Sequence, residues 1–328
     1  MTSTDAALHE RLRAALRVAF GTAQADAVTP LEGGASTAFP FRVEIGARRY
    51  VVRLEGERSP LRNPQQYASM AVAAEAGLAP RLHYADETLG VAVMDFIETR
   101  PLGAYPGGSL GLAQAVGTLI ARLQAGPAFG RFVDYPDMVG RLWTYLCGTG
   151  LFARDVLMPA TERLARVSDA YQAGFIRGVA SHNDLLPRNL LFDGRRLWLI
   201  DWESAYCNDP HVDLAIALDN FAPDPGSAES LREAAVGTGP RWIDPTRLDL
   251  ARGLVRLYYA GVFLCASFAA QGALQDRDLS APSGADFQAA LRAGRLHFET
   301  PTTKHLLGKI FLSSFMTGAA PPSLGASA

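Results

Sequence analysis

The sequence predicts an α+β fold with two lobes, a small antiparallel-sheet lobe followed by a larger, mainly helical lobe. Residues 28–97 contain short apolar and β-branched runs separated by turns, which is the pattern of a sheet. After residue 98, most of the chain carries apolar residues at helical spacing. A length of 328 residues is long for a single hydrophobic core and sufficient for two.

These patterns divide the chain into four units. We predict an N-terminal amphipathic helix in residues 1–23, the sheet lobe in 24–97, the helical lobe in 98–320 and a flexible tail in 321–328. The N-terminal helix is indicated by apolar residues that recur every four positions, namely Leu8, Leu12, Leu16 and Phe20. The tail, PPSLGASA, consists of small and turn-forming residues at the chain end, where fraying is common.

The composition excludes several classes of protein. A formal charge of −2 gives no reason to expect nucleic acid or an anionic membrane as a partner, and no run of 18 apolar residues predicts a spanning helix. The N-terminus has no signal-peptide pattern, and the three cysteines have neither disulfide-framework nor metal-ligand spacing. We therefore expect a cytoplasmic protein, whose oligomeric state the sequence does not predict.

The sheet lobe should contain a hairpin, a helix and two further strands. FPFRVEI and RYVVRL predict a hairpin that turns at Gly46, and APRLHYADETLGVAVMDFI predicts two strands around a turn. Between these pairs, QQYASMAVAAEAG has helical composition and ends at Gly77. In the second lobe we expect helices in LGLAQAVGTLIARLQ, in MVGRLWTYL, from about Asp155 to Arg177, and again from Pro210 onward.

The stretch SHNDLLPRNLLF places ionisable groups inside an otherwise apolar segment. His182, Asp184 and Asn189 lie in it, and Asp201 follows at the end of the apolar run LWLI, which LLF should pair with through the turn DGRR. Asp and Asn are ordinary turn residues. Oxygen-bearing side chains at loop positions beside short strands also suit Mg²⁺, and Asp184 could then deprotonate a substrate hydroxyl. That division of labour is what phosphoryl transfer requires.

Two further features lie in the sheet lobe. In LEGGAS, the backbone amides of Gly33, Gly34 and Ala35 could approach a phosphate, although glycine turns are also ordinary in hairpins. The motif is neither a dinucleotide-binding fingerprint nor a P-loop. Arg53 interrupts the β-branched run YVVRL and either faces solvent or points at a ligand. The only lysines in the chain are Lys304 and Lys309, so a cation on this strand must be arginine.

Glycine loop, basic strand residue, catalytic loop and metal aspartate occur here in the order found in protein kinases. The sequence predicts a protein-kinase-like fold, but nothing after Asp201 resembles an activation segment that ends in A-P-E. HNDLLPRNLL with LIDWESAYCNDPHVDLA instead resembles the aminoglycoside phosphotransferase and choline kinase superfamily, and most of all its bacterial choline/ethanolamine kinase branch. The resemblance extends over roughly residues 28–270, and its catalytic and metal motifs are more specific than its glycine loop.

The resemblance implies an ATP- and Mg²⁺-dependent kinase of a small-molecule hydroxyl. Asp184 would be the catalytic base, and Asn189 and Asp201 would be the Mg²⁺ ligands. His182 would brace the catalytic loop, and Asp213 would accept hydrogen bonds from its backbone. The residues implied in ATP binding are Gly33, Gly34, Ala35, Ser36, Arg53, Gln66, Met94, Asp95, Phe96 and Ile97.

The chain departs from the family pattern in the first lobe. Relatives place a glutamate on the small-lobe helix to pair with the basic strand residue, and our alignment puts Gln66 there. Glu75 is the nearest acid on that predicted helix, two and a half turns further on. A guanidinium-to-amide hydrogen bond could replace the ion pair at a loss of about 1–2 kcal/mol. We therefore expect an active enzyme and carry a nucleotide-binding pseudokinase as an alternative.

The sequence contains candidate residues for more than one class of acceptor. A choline-like cation would need aromatic faces and a carboxylate; the candidates are Trp202, Glu203, Tyr206, Trp242, Tyr258 and Tyr259. Aromatic residues at helical spacing also build cores. An aminoglycoside would need an acidic cleft, for which Asp219, Asp224 and Glu229 are candidates. Thiamine, homoserine and sugars are further possible alcohols, and the sequence offers no peptide-docking segment for a protein substrate.

Overall fold

The computed structural model describes residues 3–31, 38–56, 63–174, 177–237 and 243–324. The first lobe is built on a five-stranded antiparallel sheet with the spatial order β1-β2-β3-β5-β4. Its strands are β1 (Ala27–Pro30), β2 (Phe39–Ile45), β3 (Arg48–Leu54), β4 (Leu82–Asp86) and β5 (Val91–Asp95). Two helices accompany the sheet, α1 (Ser3–Phe20) and α2 (Gln66–Glu75).

A small core joins α1 to one face of this sheet. Leu12, Ala15 and Leu16 of α1 are buried against side chains of β2, β3 and β5. The strand residues of this core are Val43, Val52, Leu54, Val91 and Val93. Alternation along β3 sends Val52 and Leu54 into the core and Arg53 to the opposite face, which looks toward the second lobe. The period of two therefore aims the arginine at the cleft.

The second lobe is mainly helical. Its helices are α3 (Gly108–Ala125), α4 (Tyr135–Gly148), α5 (Met158–Gln172), α6 (Pro210–Phe221), α7 (Pro225–Val236), α8 (Pro245–Gln271), α9 (Gly284–Arg292) and α10 (Pro301–Thr317). Short 3₁₀ turns lie at Leu102–Ala104, Arg154–Leu157, Pro187–Asn189 and Trp202–Ser204. Two small antiparallel pairs complete it, β6 (Val179–Ser181) with β9 (Tyr206–Asn208) and β7 (Leu190–Phe192) with β8 (Leu197–Leu199).

Helix α8 lies at the centre of this lobe. It packs against α4, α5, α6 and α10. Its length and apolar composition would allow a membrane span, but more than half of its most apolar stretch is buried in the protein. Its approach to α10 depends on Gly308, where an added Cβ would lie 2.5 Å from Cγ of Leu264. A larger residue at that position would force the two helices apart.

The structure confirms the predicted α+β, two-lobed architecture and differs in two details. The helix expected from about Asp155 to Arg177 begins with the 3₁₀ turn Arg154–Leu157 and continues as α5 only to Gln172. At the other end of the chain, the expected flexible tail is packed through Leu324, because Pro321 and Pro322 are buried. Asn220 holds this segment, since its Oδ1 accepts from the Leu324 amide at 2.8 Å. The four residues after it lie outside the described part.

Candidate active site

The predicted catalytic loop, SHNDLLPRNLLF, is held to the second lobe by one buried carboxylate. Asp213, in the first turn of α6, accepts the backbone N–H of His182 at 2.8 Å and that of Asn183 at 2.7 Å. Burial raises the pKa of Asp213, and the two amide hydrogen bonds oppose that rise. Asn183 has a positive φ of 61°, so the chain turns sharply just before Asp184. This turn directs the Asp184 side chain out of the loop.

His182 ties the same loop to the neighbouring hairpin. Its Nε2 lies 2.9 Å from the carbonyl oxygen of Ile200, and its ring packs 4.8 Å from the ring of Trp202. The imidazole is buried and lies behind the loop. His182 and Asp213 are thus placed as supports of the loop, away from its polar face.

Three side chains donate hydrogen bonds to the Asp184 carboxylate. Tyr259 on α8 donates to Oδ1 at 2.8 Å, and Asn189 donates to Oδ2 at 2.8 Å. Arg188 also donates to Oδ2, at 3.2 Å. The carboxylate is partly accessible, with 17% of its side chain exposed. A carboxylate held at a defined position in a cleft and open on one side is suited to accept a proton from a substrate hydroxyl.

Asn189 and Asp201 are brought together by the register of the β7–β8 hairpin. Leu190 pairs with Leu199, and the amide of Ile200 donates to the carbonyl oxygen of Asn189 at 3.0 Å. The next residue, Asp201, has a positive φ of 65° and turns its carboxylate toward the cleft. Asn189 precedes β7 and Asp201 follows β8, so the two predicted metal ligands lie at the same end of the hairpin.

The oxygen atoms available at this end fit Mg²⁺. Asn189 uses its amide nitrogen for both of its hydrogen bonds, to the backbone oxygen and to Oδ2 of Asp184, so its Oδ1 is available to a cation. Among the described residues, no three His, Cys, Asp or Glu side chains are grouped as an all-protein metal site would require. Mg²⁺ is commonly held by one or two side chains, with water and substrate phosphates completing its shell.

Arg53 reaches from the sheet lobe to the second lobe. Its Nη2 donates to Asp201 Oδ1 at 3.0 Å and to Glu203 Oε2 at 2.9 Å, and 11% of the side chain is exposed. Burial lowers the pKa of Arg53, but the two carboxylates raise it overall. Burial raises the pKa of Asp201 more than Arg53 lowers it. The strand residue therefore faces the cleft and bridges the lobes.

The expected support of Arg53 from α2 is replaced by a different arrangement. Gln66, at the start of α2, is buried and donates its amide to Glu55, which also accepts from the Tyr67 hydroxyl at 2.6 Å. Glu75 is exposed at the other end of the helix. Gln66 and Glu55 are both buried, and their contact joins the start of α2 to the residue that follows β3. Two acidic partners of Arg53 come from the second lobe instead.

The segment predicted to receive adenine connects the lobes. Met94 is a paired residue of β5, while the amides of Asp95 and Phe96 already donate to the carbonyl oxygens of Arg81 and Arg49. The Asp95 carboxylate also accepts a hydrogen bond from Nε2 of His83 at 2.7 Å. Two amides of this segment are thus engaged within the lobe, and its use by adenine stays a prediction. Ile97, also in the predicted set, is half-buried at the end of the segment. Four predicted phosphate-loop residues, Gly33, Gly34, Ala35 and Ser36, lie outside the described residues.

The sequence of this chain matches the model of a known protein family. The model of the phosphotransferase enzyme family matches residues 27–250, which is more than half of the chain and includes both lobes of the cleft. The chain belongs to the phosphotransferase enzyme family.

Individual relatives agree with this membership. The protein LicA of Haemophilus influenzae is 40% identical over 52 residues, a segment that covers 16% of this chain and 20% of LicA, so the match spans only a fifth of that relative's length. Among solved structures, a choline/ethanolamine kinase family protein from Mesorhizobium loti has a TM-score of 0.62 at 22% identity, covering 96% of this chain and 95% of that one.

Two more solved structures have a similar fold. The choline kinase LicA from Streptococcus pneumoniae has a TM-score of 0.62 at 17% identity, covering 95% of this chain and all of that chain. Spectinomycin phosphotransferase, solved with ADP and spectinomycin, has a TM-score of 0.53 at 13% identity, covering 78% of this chain and 88% of that one. At such identities these likenesses concern the fold alone.

Tyrosines surround the catalytic loop of this phosphotransferase on the side of α4 and α8. The rings of Tyr135 and Tyr258 are 6.2 Å apart, and those of Tyr258 and Tyr259 are 5.4 Å apart. Burial raises the pKa of Tyr135, Tyr206, Tyr258 and Tyr259, and in all but Tyr206 the nearby Asp184 charge adds to that rise. The phenols are therefore neutral at physiological pH. We call Tyr135, Tyr206, Tyr258 and Tyr259 the tyrosine group.

The tyrosine group overlaps only partly with the predicted acceptor residues. Tyr135 was not among them, and no local signal distinguishes it from a core aromatic at the start of α4. Trp202 differs in the other direction, because its ring packs between His182 and Phe129 behind the loop. It is a core residue that supports the loop. Glu203 is near the group but is paired with Arg53, and Trp242 lies outside the described residues.

The acids considered for an aminoglycoside cleft have structural partners. Asp219 is buried between Arg252 and Arg256, and Asp224 caps α7 by accepting the Ser227 amide at 2.9 Å. Glu229 forms an exposed ion pair with Arg232 at 2.9 Å. The three acids are close together in the sequence, but α6 and α7 place their side chains in separate environments. They form no acidic cleft.

Proposed function

We propose that this phosphotransferase is an ATP- and Mg²⁺-dependent kinase that transfers the γ-phosphate to a hydroxyl of a small cationic acceptor. An amino alcohol similar to choline or ethanolamine is the favoured acceptor. The observation that carries this proposal is the position of Asp184, whose carboxylate lies between the tyrosine group and the pair Asn189 and Asp201. A base between an acceptor site and a metal site is the arrangement that phosphoryl transfer needs.

The reaction follows from these positions. Asp184 accepts the proton of the acceptor hydroxyl while its oxygen forms a bond to the γ-phosphorus, and the bond to the bridging oxygen of ADP breaks. Asn189 and Asp201 would hold Mg²⁺, which supplies neutralisation of the phosphate charges when bound. Arg53 would exchange one of its carboxylate partners for phosphate oxygens. His182 and Asp213 hold the backbone before Asp184 in place, which supports a fixed position of the base.

A cationic acceptor is favoured by the chemistry of the tyrosine group. Neutral aromatic faces attract ammonium groups, and the carboxylates of Asp184 and Glu203 add negative charge beside them. The names of two similar structures, a choline/ethanolamine kinase family protein and a choline kinase, support this class. The ADP complex of spectinomycin phosphotransferase supports an adenine nucleotide as donor and an aminoglycoside as the alternative acceptor. The paired state of Asp219 and Glu229 disfavours that alternative.

The proposal is tested by ADP release with ATP and Mg²⁺ across an acceptor panel. Choline, ethanolamine, thiamine, homoserine and several aminoglycosides are each assayed with the wild-type protein and with Asp184→Ala. We expect stimulation by choline or ethanolamine and a loss of about 10³-fold or more in the variant. ATP binding, measured by calorimetry, should be similar in both proteins.

The other outcomes separate the alternatives. Turnover of an aminoglycoside alone would replace the acceptor class and leave the kinase assignment. ATP binding without turnover of any acceptor would favour a pseudokinase. Full activity of Asp184→Ala would overturn the assignment of the base.

A further inference from the structure

Arg188 occupies a position that the functions assigned so far do not explain. It lies in the 3₁₀ turn Pro187–Asn189, four residues after the base Asp184 and directly before Asn189. The neighbouring Leu185, Leu186 and Leu190 are buried, so the backbone of the turn is fixed. The Arg188 side chain itself is 34% exposed and extends from this fixed backbone into the cleft.

The contact between Arg188 and Asp184 is not needed to hold the base. Oδ1 of Asp184 is held by Tyr259 at 2.8 Å and Oδ2 by Asn189 at 2.8 Å, while Arg188 adds one longer contact of 3.2 Å to Oδ2. A guanidinium has five N–H groups. Only one of them donates to the described residues. The guanidinium is thus a cation whose donors are mostly available to a ligand.

Arg188 lies next to the base Asp184 and directly before Asn189, a predicted metal ligand. Burial lowers the pKa of its guanidinium, but Asp184, Tyr259 and Asp201 raise it overall. Asn189 and Asp201 meet at the same end of the β7–β8 hairpin, so Arg188 lies near the predicted metal site as well as near the base. The transferred phosphoryl group must cross the same space, because Asp184 takes the proton at one end and Asp201 faces the nucleotide at the other.

Other cations are less available for this position. Arg53, which pairs with Asp201 and Glu203, is already assigned above to the phosphates of the nucleotide. Lys309 pairs with Asp276 at 2.6 Å, and Lys304 lies 3.9 Å from Glu299, so both lysines of the chain are engaged on α10. A cation on the transferred group is worth about 10³–10⁵-fold in kcat in enzymes of this chemistry. Among the described residues, Arg188 is the arginine of the cleft that could supply this charge.

We propose that Arg188 is a catalytic residue that neutralises the phosphoryl group during its transfer; this rests on the kinase function proposed above. When ATP and the acceptor are bound, the guanidinium leaves Oδ2 of Asp184 and donates to the non-bridging oxygens of the γ-phosphate. Oδ2 then accepts a hydrogen bond from Asn189 alone and can take the hydroxyl proton. The acceptor oxygen bonds to phosphorus, the bond to the ADP oxygen breaks, and Arg188 remains protonated throughout.

The first test uses a mimic of the transferred group and needs no acceptor. Binding of ADP with Mg²⁺ is compared with and without aluminium fluoride for wild type, Arg188→Ala and Arg188→Lys. We expect aluminium fluoride to tighten ADP binding at least about tenfold in the wild type, since such mimics bind more tightly than ground-state ligands. Arg188→Ala should lose this gain, Arg188→Lys should keep part of it, and ADP alone should bind within about threefold in all three.

Arg195→Ala is the matched control. Arg195 lies only seven residues away, is exposed on the β7–β8 turn, and has no role in the cleft. Its replacement should leave the aluminium fluoride gain unchanged. Methylguanidinium should also restore part of the turnover of Arg188→Ala and none of that of Asp184→Ala, which a role limited to folding would not produce.

The outcomes distinguish this inference from the kinase proposal. If the wild type binds neither ADP nor its aluminium fluoride complex, the kinase proposal fails, and with it the role of Arg188. If the wild type shows the gain and Arg188→Ala shows the same gain, the kinase proposal stands and the role of Arg188 is overturned. Loss of the gain in Arg188→Ala, with ADP binding retained, supports the inference.

Discussion

Among the described residues, two kinds of aspartate–arginine contact can be compared. In one kind both partners belong to the same lobe, and in the other the partners come from different lobes. Asp219 on α6 accepts four hydrogen bonds from Arg252 and Arg256 of α8, and the Asp219 and Arg256 side chains are each 4% exposed. All of these groups belong to the helical lobe. In the cleft, by contrast, Asp201 meets Arg53 of the other lobe through one hydrogen bond.

The pKa values of two aspartates reflect the same difference. Asp209 accepts from Arg247 at 2.5 Å, from the His211 ring at 2.8 Å and from the His211 amide at 2.9 Å. Burial alone would raise the pKa of Asp209, but the hydrogen bonds from the ring and the amide of His211, the charge of His211 and the Tyr171 hydroxyl lower it to about 2. For Asp201, burial dominates and the pKa is raised. The framework charges are satisfied by the protein, whereas the cleft leaves a carboxylate whose charge a ligand cation would complete.

Removing the acid of the framework contact should have the largest effect on stability. Asp219→Ala leaves two guanidinium groups beside the core without their anion, and we expect a loss of about 3–5 kcal/mol in the free energy of unfolding. Urea unfolding at pH 7 measures it. The matched control is Glu229→Gln, which breaks an exposed pair and should cost about 1 kcal/mol or less. Equal effects of the two replacements would remove the distinction between buried and exposed pairs.

The second prediction concerns the dependence of stability on pH. Because the folded pKa of Asp209 is about 2 and its ordinary value is 3.8, its stabilisation is present above about pH 4 and is lost as the pH falls through 2. The shift corresponds to about 2 kcal/mol. The difference in unfolding free energy between wild type and Asp209→Asn should therefore shrink by about that amount between pH 4 and pH 2. A difference that does not change with pH would show that Asp209 is not held as an anion.

The smallest predicted effect concerns the hydrogen bond from Tyr259 to Asp184 in the cleft. Tyr259→Phe removes the hydrogen bond to Oδ1 of Asp184 and keeps the aromatic ring, so we expect kcat to fall about tenfold, or about 1.4 kcal/mol in the barrier. The melting temperature should change little, because one oxygen of Asp184 retains Asn189. Tyr145→Phe, at an exposed tyrosine, is the control and should leave kcat unchanged. A fall in kcat for both variants, or for neither, would remove Tyr259 as a positioning residue.

The sequence was sufficient for the parts of the site that are contiguous in the chain. Two antiparallel runs joined by DGRR bring Asn189 and Asp201 to the same end, since hairpin register follows from turn length and strand pattern. Alternation in YVVRL likewise directs Arg53 away from the core of its lobe. Local periodicity also predicted the order of sheet and helices. Such features depend on neighbours a few residues away, which a single sequence displays.

The partners of these residues were decided only by the tertiary structure. Arg53 was expected to meet Gln66, yet its carboxylates come from 148 and 150 residues further along the chain. Tyr259 reaches Asp184 across 75 residues, through the packing of α8. Trp202 and Tyr258 are both candidate aromatic residues in the sequence, but Trp202 is packed behind the loop and Tyr258 lies near Asp184. Which aromatic ring faces the cleft depends on the rotation of each helix in the packed core, and that rotation is set by side-chain packing over the whole lobe.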